Sequence, residues 1–163
     1  MIATNTFCEK GVVEMIINEA LINLNIKHTT KEAVIQELAQ AAKDEGRIED
    51  MPTYIKAVLK REEEYSTAVG FGVAIPHGKT DAVKEPFLAF AKVPQVDWKA
   101  LDGEPVDLVF MIGVPEESAG TLHLKILAAI SRKLMKDEFR EGLRSSNTPE
   151  DIINLLKNSD LGI

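Results

Sequence analysis

The run of residues 106–114 constrains the fold of this chain more than any other stretch, since Val-Asp-Leu-Val-Phe-Met-Ile-Gly-Val is almost uninterrupted in its apolar character. A short apolar run of this kind predicts a strand that is buried on both faces. Residues 87–93 form a second predicted strand. Because a sheet buried on both faces needs helices on both sides, the sequence predicts an α/β fold.

Helical segments surround these strands. A threonine, Thr29, three residues ahead of Glu32 predicts a capping box at a helix start, and Pro52 fits the first turn of a second helix. Thr148 followed by a proline predicts the start of the last helix. The remaining predicted elements are a helix and then an edge strand within 10–26, a long helix at 121–136 and a short helix carrying Phe139 and Leu143. The whole chain, 1–163, is therefore predicted to be a single domain with a mixed β-sheet sandwiched by helices.

Composition narrows the classes of function. The formal net charge of -7 argues against a nucleic-acid surface, which needs clustered Lys and Arg. No apolar run approaches the roughly 18 residues that span a bilayer, and residues 1–6 lack the basic segment of a signal peptide. We therefore expect a cytoplasmic protein with no membrane insertion. The lone Cys8 excludes an internal disulfide and any multi-cysteine metal site.

Residues 70–79, Gly-Phe-Gly-Val-Ala-Ile-Pro-His-Gly-Lys, carry the first candidate for chemistry. The apolar run 73–75 predicts a short buried strand, which Pro76 should end because it has no N–H to donate. His77 is then expected on the connection leaving the strand, with Gly78 allowing another group to approach its backbone. Ligands bind at such strand ends in α/β folds, although a surface histidine held by one hydrogen bond would read the same way.

Two further residues extend this candidate site. His123 is expected in the first turn of the 121–136 helix, where unpaired N–H groups and the helix dipole favour phosphate. Arg61 is expected at the end of a helix, and its guanidinium can clamp phosphate oxygens in a way that lysine cannot. A neutral imidazole is a competent nucleophile. The set His77, His123 and Arg61 therefore indicates phosphoryl transfer, in which positioning and charge stabilisation dominate.

The run Arg61-Glu62…Ser66-Thr67…Gly72-Val73-Ala74-Ile75-Pro76-His77-Gly78 resembles the EIIA domains of the fructose/mannitol family of the bacterial phosphoenolpyruvate-dependent sugar phosphotransferase system (EIIA type 2). The resemblance includes a downstream apolar strand and a histidine-leucine pair opening a helix, as at His123-Leu124. It runs from about residue 17 to the end of the chain and leaves 1–16 outside the match.

The resemblance implies a role for each site residue. His77 would be phosphorylated at Nε2, His123 would sit across the site and hydrogen-bond the phosphoryl group, and Arg61 would neutralise phosphate charge. Thr67 matches a hydroxyl position beside the active histidine, and Ser66 is a second hydroxyl there. No metal or other cofactor is required in this picture.

The same resemblance implies partners. The donor would be the phosphocarrier protein HPr, itself phosphorylated by enzyme I, and HPr would dock on exposed apolar surface around the site. The acceptor would be a cysteine of a partner EIIB domain belonging to a membrane sugar permease. The sugar itself is not predicted by the sequence.

Three other interpretations stay open. The chain could be a regulatory EIIA protein of the nitrogen-related branch, which acts through its phosphorylation state rather than in transport. A metal-dependent hydrolase with His77 and His123 as ligands is disfavoured, because two histidines without a nearby acidic ligand pattern fall short of a three-ligand zinc site. A purely structural binding module would leave His77 unmodified.

Overall fold

The computed structural model describes residues 16–158, apart from the side chains of residues 118–123 and 158. Cys8 and most of the helix predicted within 10–26 lie outside the described residues. In the described range, no helix is both long enough and apolar enough to cross a membrane.

Five α-helices and six strands form the described part of the chain. The helices are α1 (Lys31–Asp44), α2 (Met51–Glu64), α3 (Ala119–Leu134), α4 (Asp137–Ser145) and α5 (Pro149–Asn158). The strands are β1 (Ile22–Asn23), β2 (Ala68–Gly70), β3 (Val73–Ala74), β4 (His77–Lys79), β5 (Phe87–Val96) and β6 (Val106–Val114). Short 3₁₀ turns occupy Glu19–Leu21 and Glu116–Ser118.

The sheet is mixed, as the sequence predicts. Its order is β1-β5-β6-β3-β2, and β4 continues along β6 beyond the end of β3. β5 and β6 are antiparallel, whereas β3 and β4 both run parallel to β6 and β1 runs parallel to β5. Apart from the half-buried Asp107, every residue of β6 is buried. The apolar run at 106–114 is therefore the central strand that its composition indicates.

Helices cover this sheet in layers. α1 and α2 pack on each other, with α1 against β5 and α2 against β4, while α3 packs against β6 and α4 bridges α3 and α5. One contiguous hydrophobic core joins these elements. The prediction of an α/β domain with a mixed sheet between helices is confirmed.

Local capping chemistry sets the helix starts. The predicted cap of α1 is one residue early: the N-cap is Thr30, whose Oγ1 accepts the N–H of Ala33 at 3.2 Å. Asp50 caps α2 by accepting the N–H of Thr53 at 3.2 Å. The predicted edge strand within 10–26 is present but is only two residues long; a 3₁₀ turn precedes it, and Asn23 Oδ1 accepts the N–H of Asn25 where it ends.

A side-chain clamp fixes the turn before β3. Arg144 of α4 forms a two-pronged ion pair with Asp107 of β6, with Nε and Nη2 each 2.9 Å from a carboxylate oxygen. The same Nη2 donates to the carbonyl of Phe71 at 2.6 Å. Phe71 and Gly72 both have positive φ, and a Cβ on Gly72 would lie 2.8 Å from Asp107 Oδ1. The start of β3 is thus tied to the start of β6.

Candidate functional site

The chain does not leave the sheet at Pro76. The carbonyl of Pro76 accepts the N–H of Ile112 at 3.0 Å, and β4 begins with the next residue, His77, which pairs with Ile112. The first strand does end before Pro76, as expected, but the expectation that His77 lies on the connection leaving that strand is wrong. Proline removes one donor but keeps its carbonyl, so pairing with β6 resumes at once and His77 starts a strand.

Close packing of α2 against β4 depends on Gly78. A Cβ at this position would lie 3.0 Å from both Tyr54 Cε1 and Val58 Cγ2, two side chains of α2. The buried hydroxyl of Tyr54 also donates to the carbonyl of Ile112 at 2.8 Å. The expected close approach at Gly78 is thus present, and α2 is held directly beside His77.

The ring of His77 is oriented by the backbone two residues earlier. Its Nδ1 lies 2.9 Å from the carbonyl oxygen of Ile75. Because a carbonyl oxygen can only accept, the ring nitrogen facing it carries the proton. In the neutral ring, Nε2 therefore holds the lone pair.

Arg61 and His77 line the same cleft, of about 660 Å³. Arg61 lies in the last turn of α2, where its Nη1 donates to the carbonyl of Tyr65 at 2.8 Å. Its guanidinium carbon stands 4.2 Å from the centre of the Tyr65 ring. The structure therefore brings together two of the predicted site residues, with the arginine held by its own neighbours.

The cleft is basic although the chain is acidic. Among the residues that the structure describes, the cleft is lined by the cations Lys56, Lys60, Lys79 and Arg61 and by one acidic residue, Glu64. The chain as a whole carries a formal net charge of -7. Such a local excess of positive charge attracts anions such as phosphate.

The pKa of His77 is lowered from its ordinary value of 6.5. Burial is the main cause, because it disfavours the charged ring, and the positive charge of Arg61 acts in the same direction. The hydrogen bond to Ile75 and the negative charge of Glu62 oppose the shift. The net result favours a neutral ring at pH 7, which is the nucleophilic form.

Thr67 is buried and bonded to Glu62. Its N–H donates to Glu62 Oε1 at 3.1 Å, and its hydroxyl donates to Glu62 Oε2. Ser66 donates its hydroxyl to the carbonyl of Trp98 at 2.5 Å. Both hydroxyls are thus engaged within the protein, and Thr67 is connected to a carboxylate that the sequence analysis did not single out.

Glu62 was missed because it stands in a charge run at a helix end, which usually marks a solvated face. Its neighbours Glu63 and Glu64 are indeed exposed, but Glu62 is only 5% exposed. The one available signal was Thr67 five residues later, since a buried carboxylate needs donors.

His123 cannot be placed by its side chain, which lies outside the described residues. Its backbone belongs to α3, which begins at Ala119. His123 is therefore in the second turn and not in the first, as the sequence led us to expect. Among the residues with described side chains, no three His, Cys, Asp or Glu residues are grouped to hold a metal ion.

Comparison with known proteins gives a consistent result. Residues 15–159 match the family model of the phosphoenolpyruvate-dependent sugar phosphotransferase system, EIIA 2. A fructose-specific EIIA component of Haloferax volcanii is 43% identical over 137 residues, covering 83% of this chain and 88% of the relative. A fructose-specific EIIABC component of Bacillus subtilis is 38% identical over 146 residues, covering 89% of this chain but only 23% of that longer relative. Among solved structures, the nitrogen regulatory protein IIA-Ntr of Neisseria meningitidis is 29% identical with a TM-score of 0.81, covering 89% of this chain and 98% of that one.

Proposed function

This chain belongs to the EIIA 2 family of the phosphoenolpyruvate-dependent sugar phosphotransferase system, and we propose that it carries the phosphoryl group on Nε2 of His77. As an EIIA component it is a phosphotransferase that works through a phosphohistidine. The family match over 15–159 supports one EIIA domain within residues 1–163.

One observation carries the assignment to His77: the Nδ1 contact with the carbonyl of Ile75. It leaves the lone pair of the neutral ring on Nε2, at a ring that lines the basic cleft. Nε2 attacks the phosphorus of the donor, and the donor's P–N bond breaks with its electron pair returning to the donor imidazole. Nδ1 keeps its proton throughout.

The other site residues stabilise the transferred group. Arg61 neutralises charge on the phosphoryl oxygens, and its contacts with Tyr65 hold the guanidinium in place before the donor arrives. His123 hydrogen-bonds the phosphoryl group from α3. Thr67 acts from behind His77, through Glu62 and the backbone, rather than on the phosphoryl group itself.

HPr is the donor and a cysteine of an EIIB domain is the acceptor, so the protein works in the cytoplasm beside a membrane permease. A groove of about 790 Å³ adjoins the cleft along α2 and supports docking of such partners. Met51, Ile55 and Leu59 supply its apolar floor, and Lys56 and Lys60 line both the groove and the cleft. A partner seated there would contact Lys56 and Lys60, which also line the cleft of His77.

A second candidate is the regulatory role. The similarity to IIA-Ntr of Neisseria meningitidis favours it, because that protein is a nitrogen regulatory protein and the match covers 98% of its length. The fructose-specific relatives favour sugar uptake instead. Both roles need a phosphorylated His77 and differ in where the phosphate goes.

A chase experiment tests the transport role. The protein is labelled through radiolabelled phosphoenolpyruvate, enzyme I and HPr, purified, and mixed with EIIB domains taken from the fructose-specific EIIABC relatives. Transport predicts loss of label from this chain and its appearance on an EIIB cysteine. Label that stays on this chain with every EIIB tried, while a known EIIA partner transfers to the same EIIB domains, contradicts the transport role and favours the regulatory one.

A further inference from the structure

Among the described residues, the buried carboxyl group of Glu62 has no cationic ion-pair partner. Its side chain is almost fully excluded from water. In the described part of the chain, its hydrogen bonds come from the N–H and the hydroxyl of Thr67, and none of the ion pairs there includes it. Burying an unpaired carboxylate is costly, so its retention calls for a reason.

A continuous set of hydrogen bonds connects this carboxylate to the ring of His77. Glu62 holds Thr67 through two bonds. The carbonyl of Thr67 accepts the N–H of Ile75 at 3.1 Å, and the carbonyl of Ile75 faces Nδ1 of His77 at 2.9 Å. Each residue in the set is buried or half-buried, so water competes little with these bonds.

Phosphorylation of His77 creates a positive charge that can interact with the carboxylate of Glu62. When Nε2 of His77 bonds to phosphorus and Nδ1 keeps its proton, the ring becomes a phosphoimidazolium with one positive charge. When the P–N bond breaks toward the acceptor, its electron pair returns to Nε2 and the ring is neutral again. A fixed carboxylate behind the ring therefore interacts more favourably with the phosphorylated state than with the free one.

We propose that Glu62 is a positioning residue for phosphoryl transfer at His77, an inference that rests on the proposed function. Its carboxylate fixes the Thr67 and Ile75 peptides that hold the ring with Nδ1 protonated, and its charge stabilises the cationic phosphorylated ring.

Other charges act on the same ring. Arg61, Lys56, Lys60 and Glu64 reach the cleft from α2, and Lys79 does so from β4. The cations favour the phosphoryl oxygens, whereas Glu62 favours the ring. The two sets therefore stabilise opposite charges of one phosphohistidine.

The first test measures the protonation of the His77 ring and needs no phosphoryl donor. The pKa of His77 and the protonation state of its two nitrogens are measured by ¹⁵N NMR in the wild type, Glu62→Gln and Glu63→Gln. Glutamine keeps the shape and an acceptor oxygen but loses the charge, so the pKa of His77 falls in Glu62→Gln, consistent with the opposing effect of Glu62 in the wild type. Glu63 is an exposed carboxylate on the same helix turn, and its variant leaves the pKa of His77 unchanged.

The second test measures the equilibrium of phosphoryl transfer between phospho-HPr and this protein. The phosphorylation equilibrium with phospho-HPr shifts against the phosphorylated protein in Glu62→Gln, on the order of tenfold. Thr67→Val, which removes the bonding hydroxyl, shifts it in the same direction, and Thr67→Ser restores it. If Glu62→Gln does not fold, the Thr67 pair carries the test.

A pKa and tautomer of His77 that are identical in the wild type and a folded Glu62→Gln, or in Thr67→Val and Thr67→Ser, would overturn the proposal. A wild type that takes no phosphate would instead overturn the proposed function, since the NMR readout needs no phosphate.

Discussion

In the reaction proposed for this protein, two side chains are held in place before any partner binds. Burial and the nearby charge of Arg61 lower the pKa of His77, which favours the neutral ring at pH 7. Contacts with Tyr65 hold Arg61 on the cleft wall. A nucleophile and a charge clamp that are both preorganised cost little reorganisation when the phosphoryl group arrives.

The first prediction concerns acidity. The lowered pKa of His77 predicts an NMR titration midpoint below 6.5. The ring takes up its second proton only below that midpoint. Acceptance of phosphate should therefore be independent of pH near 7 and should fall as the pH drops through that midpoint, because the protonated ring has no lone pair on Nε2. A midpoint above 6.5 would be inconsistent with the burial described here.

The second prediction concerns Arg61. Arg61→Gln removes a positive charge that lowers the pKa of His77, so that pKa rises. The rate of phosphate acceptance from phospho-HPr should fall by about 10²-fold, the usual loss for one preorganised charge donor. Arg61→Lys should recover only part of this rate, because lysine lacks the planar fork. Wild-type rates in Arg61→Gln would exclude the charge-clamp role.

At this scale, the sequence predicts His77 and Arg61 as site residues because a motif carries them, and the structure places both on one cleft. Glu62 escaped detection because burial of a charged residue depends on packing partners that are distant in sequence or in another element. The motif also predicts Thr67 as a site residue, but the direction of its hydroxyl toward Glu62 is visible only in three dimensions.

At the scale of elements, α2 and β4 together carry Arg61, Glu62 and His77. α2 supplies Arg61 and Glu62 at its end, and its buried Tyr54 bonds to β6 beside the start of β4. Gly78 lets α2 come close to β4, and in the sheet Gly113 of β6 makes room for the ring of Phe87 of β5. The positions of the site residues thus depend on packing one layer below them.

The third prediction tests the link between α2 and β6. Tyr54→Phe removes the hydrogen bond that the buried hydroxyl donates to the carbonyl of Ile112, which should lower the free energy of unfolding by about 0.5–1.5 kcal/mol. The measurement is urea denaturation. Tyr65→Phe is the matched control, because Tyr65 is 68% exposed, and it should change stability by less than about 0.5 kcal/mol. Equal effects of the two variants would contradict this account.

The fourth prediction concerns Gly113. A Cβ there would lie 2.2 Å from Cε1 of Phe87, so Gly113→Ala should destabilise the fold by roughly 1–3 kcal/mol through overpacking. Phe87→Leu makes room, so the double variant should lose less stability than the two single variants added together. Strict additivity in a double-mutant cycle would show that the two residues do not collide.

Elements with a strong pattern were predictable, whereas of the short strands β1 and β3 were predicted but β2 and β4 were not. The bounds of β6 follow from its apolar run, and the start of α2 follows from Asp50 and Pro52. β4 was missed because a proline usually ends a central strand. Here the carbonyl of Pro76 still bonds to Ile112, a contact that depends on a strand 36 residues later in the numbering (112 − 76).

At the scale of the whole molecule, the fold concentrates opposite charges in different places. The chain is acidic overall, yet four cations line the cleft that holds His77. An apolar groove adjoins this cleft along α2. A partner that brings a phosphoryl group therefore meets an apolar contact surface, a basic cleft and a neutral imidazole in one continuous region.

The most direct measurement is the intact mass of the protein after incubation with phosphoenolpyruvate, enzyme I and HPr. The account predicts a gain of one phosphate that is stable in base, is lost in acid and maps to His77, with no gain in a folded His77→Ala variant. No gain in the wild type, with both helper proteins shown to be active, would contradict the account, as would phosphorylation of His77→Ala at the wild-type level.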